Sequence, residues 1–228
     1  MNSRSGDEMD LAETRGPAAS RRVSRGIMQA LETQQLVPGQ RLVETDLVQQ
    51  YGVGRNAVRE AVQWLAAHGV IDLTRHRSAA IRRLDVAETV DVLDVAEPLI
   101  GLIVRTAARR YRAEDHRALL EDALAELERG AEADASGAFS RGRRHVYRAL
   151  IEIGGNSELS RLFRSLGIHI LYAQHRSPGL ERGRLADFQA MAAAVVAGDP
   201  ARGEAAGRDH VGELRRVVLR AESLPPRS

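Results

Sequence analysis

The stretch YGVGRNAVREAVQWLAAHGVI, residues 51 to 71, narrows the possible folds more than any other part of the chain. Gly52 and Gly54 interrupt a helix arriving from the N-terminal side, and a long amphipathic run begins directly after them. Val58, Val62, Leu65 and Ala66 make one apolar face of that run, and Gly69 supplies its C-terminal stop. Arg55 and Arg59 stand one helical turn apart at its start. Positive charge there opposes the helix dipole, so the placement costs stability unless an anion sits nearby.

The flanking segments complete a small unit. Val23, Ile27 and Leu31, together with Met28, repeat at helical spacing, and Pro38 and Gly39 form a turn after them. ETDLVQQYG reads as a short helix with Leu47 and Val48 inward and Gly52 as a left-handed stop. Beyond Gly69, VIDLTRHRSAAIRRL has β-compatible ends around a basic middle, the pattern of a two-stranded hairpin with a charged tip. Helix, helix, tight turn, helix and hairpin make a winged helix-turn-helix. Its third helix would enter a DNA major groove tip first, so that Arg55, Asn56 and Arg59 meet bases and phosphates, which offset the dipole cost. Arg75, His76 and Arg77 would reach backbone phosphate or the minor groove from the hairpin tip. Glu44 and Thr45, at the start of the preceding helix, join the DNA-facing set. The alternative is that Arg55 and Arg59 are solvated surface charges, one of them paired to Glu60 or Asp46.

Charge distribution favours the first reading. The net charge of +2 is too small to argue for nucleic acid, but ten arginines stand against five carboxylates between residues 21 and 83. Residues 1 to 20 have the reverse balance, two arginines to four carboxylates. Lysine is absent; arginine suits bidentate contacts, although its use throughout the chain points to compositional bias. The absence of cysteine excludes disulfides, thiolate metal sites and cysteine nucleophiles. No apolar run approaches the roughly 20 residues needed to cross a bilayer, and no secretion signal is visible. The expected location is the cytoplasm, without membrane association.

The fold expected is mainly α. Residues 1–19 read as a flexible arm, 20–84 as the winged domain, 85–222 as an all-helical effector-binding and dimerisation domain, and 223–228 as a tail. Six helical stretches can be marked after Asp85, at about 85–111, 114–134, 138–153, 156–175, 181–197 and 199–221. The short breaks between them predict an antiparallel bundle. Pro98, inside the first, marks a kink or costs about 3 kcal/mol. Residues 84–88, without proline or glycine, form the linker.

From residue 27 to residue 84 the sequence resembles the DNA-binding domain of the GntR family of bacterial transcription regulators. Pro38, Gly39, Leu42, Glu44, Leu47, Gly52, Val53, Arg55, Val58, Arg59, Glu60, Ala61, Leu65, Gly69, Val70 and Ile81 all fall on its pattern without a gap. The resemblance implies base and phosphate contacts from Arg55, Asn56 and Arg59. Gly54, Asn56, Ala57 and Ala79 depart from the usual serine or threonine, threonine, proline and glycine. The loss of a hydroxyl at Gly54 removes a phosphate hydrogen bond, so the operator is not inferred from relatives.

HVYRALIEIGGNSEL and AVVAGDPARGEAAGRDH resemble motifs of the FadR subfamily's FCD-type effector domain. In many relatives one Asp and three His hold a divalent metal that helps to bind carboxylate effectors. Here those positions carry Arg143, Tyr147 and Phe188, and only His210 remains. One histidine does not supply the three or four converging ligands such an ion needs, so no metal or other cofactor is expected. An arginine–glutamate pair usual in the first bundle helix falls at Ala96 and Ile100. Arg143 would bind an anionic effector directly, while Tyr147, Phe188, Ala96 and Ile100 make the cavity more apolar; His169 and Tyr172 would line it from a neighbouring helix. The alternative is structural: a buried histidine bonded to a tyrosine, and Arg143 paired with Glu213 or Asp209.

The resemblance implies a homodimer that reads double-stranded DNA and responds to a small molecule, anionic or partly apolar. Two other classes stand beside it: a DNA-binding protein whose bundle only dimerises, and an enzyme. For the last, no nucleophile–base constellation can be located.

Overall fold

The structure, a computed structural model, describes residues 17–73, 79–133, 137–175 and 184–222. They fall into two compact units that divide between Arg83 and Leu84. Helix α1 (Pro17–Glu32) opens the first unit. It starts inside the span assigned to a loose arm, because proline suits the first turn of a helix and Ala19 is fully buried. Val23, Ile27 and Leu31 of α1 form the buried stripe that its spacing predicts.

Strand β1 (Arg41–Leu42) and helices α2 (Glu44–Tyr51) and α3 (Arg55–Ala67) follow. Strands β2 (Ile71–Leu73) and β3 (Ala79–Ile81) come next, and the sheet runs β1-β3-β2, antiparallel throughout. The expected two-stranded hairpin thus gains a third strand, with Leu42 opposite Ala79 and Arg41 opposite Ala80. Its cause is backbone pairing: Ile81 N–H donates to Gln40 O at 2.8 Å and Gly39 N–H to Ile81 O at 2.8 Å. Between α2 and α3, Gly52 adopts φ 60° and its N–H caps Val48 O, so the chain reverses within a few residues. Val53 plugs the turn from inside, and Val58, Val62 and Leu65 carry α3 onto the core.

The second unit is a bundle of α4 (Val86–Arg110), α5 (Ala113–Glu132), α6 (Ala138–Gly154), α7 (Ser157–Ser165), α8 (Ile168–Gln174), α9 (Leu185–Val196) and α10 (Pro200–Glu222). Seven helices stand among the described residues where six stretches were marked, because Gly167, at φ 69°, splits 156–175 into α7 and α8. Asp85 and Glu88 cap α4 reciprocally, and the helix runs on through Pro98, which faces outward. Helices α4 and α10 approach closely where Gly101 meets Gly207: a Cβ on Gly207 would lie 2.9 Å from the Gly101 Cα.

The linker is held at its first residue. Leu84 is buried; its N–H donates to Gln174 Oε1 at 3.1 Å, and Gln174 Nε2 donates to its carbonyl at 2.8 Å. Both polar groups of one backbone unit are therefore satisfied by one side chain from the end of α8.

Candidate nucleic-acid interface and effector site

Helix α3 begins without a side-chain cap, since Gly54 occupies the N-cap, and no acidic residue lies in its first turn. Arg55, Asn56 and Arg59 are all exposed on it. Arg59 Nε donates to Glu44 Oε2 at 3.2 Å, with the two side chains 60% and 39% exposed. An ion pair this open contributes at most about 1 kcal/mol. Its larger effect is orientation: the pair holds the guanidinium by its Nε edge. Glu44, not Glu60 or Asp46, is thus the carboxylate at this tip. Thr45 is exposed beside it, its hydroxyl 3.4 Å from Asp46 Oδ1. Arg75, His76 and Arg77 lie outside the described residues.

In the bundle, His210 is the centre of a buried polar cluster. Its Nε2 lies 3.0 Å from Tyr147 Oη, 3.0 Å from Tyr172 Oη and 3.2 Å from an Arg184 Nη. Its Nδ1 lies 3.0 Å from Asp187 Oδ2. Burial, opposed by the Asp187 hydrogen bond, lowers the imidazole pKa to about 4. The ring is therefore neutral at pH 7, with Nδ1–H donating to the carboxylate and Nε2 accepting. The two phenols lie 3.0 Å apart, and burial followed by the neighbouring Tyr172 pushes the Tyr147 pKa well above its ordinary value. Both guanidiniums stack on the Tyr172 ring: the Arg143 guanidinium carbon is 3.7 Å from its centroid, and that of Arg184 is 4.6 Å away. Phe188 packs edge-on to His210 with ring centroids 4.6 Å apart.

A groove of about 720 Å³ between α9 and α10 is lined by Arg184, Asp187 and His210, by four alanines and by further charged side chains of both signs along α10. Among the eight residues named for an effector, His210 lines this groove, and Arg143, Tyr147, Tyr172 and Phe188 surround the imidazole or its partners beneath it. Ala96 and Ile100 are fully buried on the packed face of α4. His169 is half-buried on α8, three residues before Tyr172.

Sequence reasoning missed Arg184, Asp187 and Gln174. A buried histidine requires an acceptor at Nδ1, but nothing in the sequence shows which of the many carboxylates provides it. Of the two carboxylates suggested for Arg143, Glu213 pairs with Arg216 at 2.6 Å, and Asp209 lines the groove.

The donor set does not fit a divalent ion. The nitrogen that would bond a metal, His210 Nε2, faces two phenols and a cationic guanidinium, and among the described residues no group of three or more His, Cys, Asp or Glu could hold one.

A helix-turn-helix with a basic, exposed helix tip, joined to a separate all-helical unit, has the organisation of a bacterial regulator. Comparison with known proteins is consistent with this. The description "Bacterial regulatory proteins, gntR family" matches residues 19–81, and "FCD domain" matches residues 91–213, more than half the chain. The chain belongs to the GntR family and carries an FCD domain. It is 29% identical over 208 residues to the HTH-type transcriptional regulator Rv0494 of Mycobacterium tuberculosis, covering 79% of this chain and 81% of that one. It is 28% identical over 130 residues to a probable D-xylose utilization operon transcriptional repressor of Paenarthrobacter nicotinovorans. That match spans 56% of each chain, little more than half the repressor's length. Among solved structures, E. coli McbR/YncC shares the fold with a TM-score of 0.76 at 16% identity, over 90% of this chain and 98% of that one. A GntR-type regulator from Rhodococcus does so at 0.70 and 18%, over 90% and 99%. No described helix is long and apolar enough to cross a membrane.

Proposed function

We propose that this protein is a DNA-binding transcriptional regulator that acts as a homodimer, reads a palindromic operator and answers to a small molecule held in its helical bundle. The observation that carries the DNA-binding part is the exposed trio Arg55, Asn56 and Arg59 on an uncapped helix start, with Glu44 gripping Arg59 by one edge. A guanidinium held at Nε keeps its two Nη groups for a phosphate or a guanine. The first-turn amides of α3 add donors for phosphate.

Dimer formation is supported by α4. Val95 and Leu102, 54% and 41% exposed, lie seven residues apart, with exposed Asp91 before them and exposed Arg109 after them. That pattern complements itself when a second copy of the helix runs antiparallel. Two winged units would then read half-sites about one helical turn apart.

Coupling is supported by α8. The same short helix brings Tyr172 to His210 and Gln174 to Leu84, the first residue after the DNA-binding unit. An occupant that shifts Tyr172 changes the anchoring of the linker, and by reciprocity operator DNA changes the affinity for that occupant by the same factor. Footprinting and gel-shift titration on the region upstream of the protein's own gene test the proposal. A two-fold symmetric protected site is expected; binding that never exceeds that to random duplex rejects it.

A further inference from the structure

We propose that Arg21, Arg22 and Arg25 on the outer face of α1 make a further contact with duplex DNA, holding phosphates that flank the bases met by α3. This rests on reading the first unit as DNA-binding and adds a sequence-independent part to its interface.

Local energetics oppose the charge on α1. Three of the ten arginines between residues 21 and 83 stand on this helix, with no acidic residue in its first turn and no carboxylate before Glu32, its last residue. Val23 is fully buried, and Arg21 and Arg25 stand two residues to either side of it. That spacing puts them about 200° round the helix, on the side away from the core. At i and i+4 the two guanidiniums repel one another. All three arginines are exposed, and among the described residues none has a carboxylate partner. A polyanion along this face removes the repulsion, and the phosphate backbone of DNA is one.

The position of α1 brings this charge to the helix tip that meets the duplex. An Arg22 Nη donates to the Tyr51 carbonyl at 3.4 Å, where α2 ends. The Tyr51 ring lies against α1 at Gly26, where a Cβ would come within 2.3 Å of Tyr51 Cε1, so the two helices are in register. From Tyr51 to Arg55 the chain advances four residues, which span at most about 14 Å even when extended. That reach equals about four base pairs at roughly 3.4 Å each, and the left-handed turn at Gly52 shortens it. Arg22 therefore stands beside the tip of α3, with Arg21 adjacent and Arg25 one turn further along. Held by one Nη, its guanidinium keeps its other donors for phosphate. Such contacts fix affinity and register and carry no sequence information, so α1 strengthens binding to every duplex alike.

Anisotropy titration of the full-length protein with two labelled duplexes, one from the region upstream of its own gene and one of shuffled sequence, tests this. R21Q/R25Q replaces two exposed side chains and leaves the Arg22 contact with Tyr51 in place, so its melting curve should match wild type. It should bind both duplexes more weakly and by a similar factor. When salt rises from about 50 to about 200 mM, wild type should lose at least about tenfold more affinity than the variant, as the loss of two phosphate contacts requires. R117Q/R148Q, which removes the same charge from exposed positions of the bundle, should bind as wild type does. A smaller difference in salt response, a loss confined to the upstream duplex, or an equal loss in R117Q/R148Q overturns the inference. If R21Q/R25Q equals wild type while R55A/R59A loses the upstream duplex, this inference fails and the regulator reading stands. If wild type itself does not distinguish the two duplexes, the regulator reading fails and this inference with it.

Discussion

His210 and Asp187 form a directed pair, Nδ1 to Oδ2 at 3.0 Å, that fixes which face of the imidazole is left for Tyr147, Tyr172 and Arg184. Burial disfavours a charged ring, and the two guanidiniums nearby add to the penalty. Asp187 offsets this only in part, and the pKa falls from 6.5 to about 4.

That shift has a signed consequence for stability. Between pH 6.5 and about 4 the unfolded chain binds a proton at His210 that the folded chain refuses, so stability drops as pH falls through this window. The loss attributable to His210 between pH 7.5 and 5 is about 2 kcal/mol. Urea denaturation of wild type and His210→Gln at the two pH values measures it. The variant should lose most of the slope; an equal slope in both proteins contradicts the assignment.

Gln174 satisfies both polar groups of the Leu84 backbone, so Gln174→Ala leaves a part-buried N–H and C=O unmet. Stability should fall by about 1–3 kcal/mol in denaturant titration. The variant should also show a smaller change of operator affinity when the bundle is occupied. A variant as stable as wild type would show that the linker is not anchored there.

The close approach of α4 and α10 depends on two facing glycines. A methyl group at 207 would press on the Gly101 backbone, which cannot swing aside as a flexible side chain can. Gly207→Ala should therefore cost about 1–3 kcal/mol despite its better helix propensity. A thermal melt at or above the wild-type temperature refutes the packing account.

Gly54 is the opposite case. It has φ −71° and ψ 155°, and a Cβ there meets nothing within 4 Å. Serine can adopt this conformation, and its side-chain oxygen can accept from an α3 amide. Gly54→Ser should stabilise the protein by a few tenths of a kcal/mol, and the added hydroxyl offers a phosphate contact. A lower melting temperature would show that the N-cap is not open as described.

Much of the first unit is legible because its signals are local. Apolar residues at helical spacing fix the buried faces of α1 and α3, and Gly52 marks the turn through its left-handed conformation. Strand β1 is not legible: two residues are too few to show alternation, and the strand exists only because β3 offers it backbone partners. Gly167 lies inside an otherwise continuous apolar pattern, and its role as a break emerges only from its positive φ. The buried cluster is partly legible for a different reason. His210, Tyr147, Phe188 and Arg143 could be picked out through the family resemblance, but Arg184 and Asp187 reach His210 across 26 and 23 residues of chain. No periodicity encodes a pairing of that range.

The central claim is that α3 presents Arg55 and Arg59 to duplex DNA. Its most direct test is fluorescence anisotropy with a labelled duplex from the region upstream of the protein's own gene, comparing wild type with the R55A/R59A double variant at two salt concentrations. Both side chains are exposed, so the variant should keep its fold. The account predicts that specific binding falls to the level of random duplex and that the salt dependence becomes shallower by about one unit for each phosphate the variant no longer touches. Unchanged operator affinity in the folded variant would contradict it.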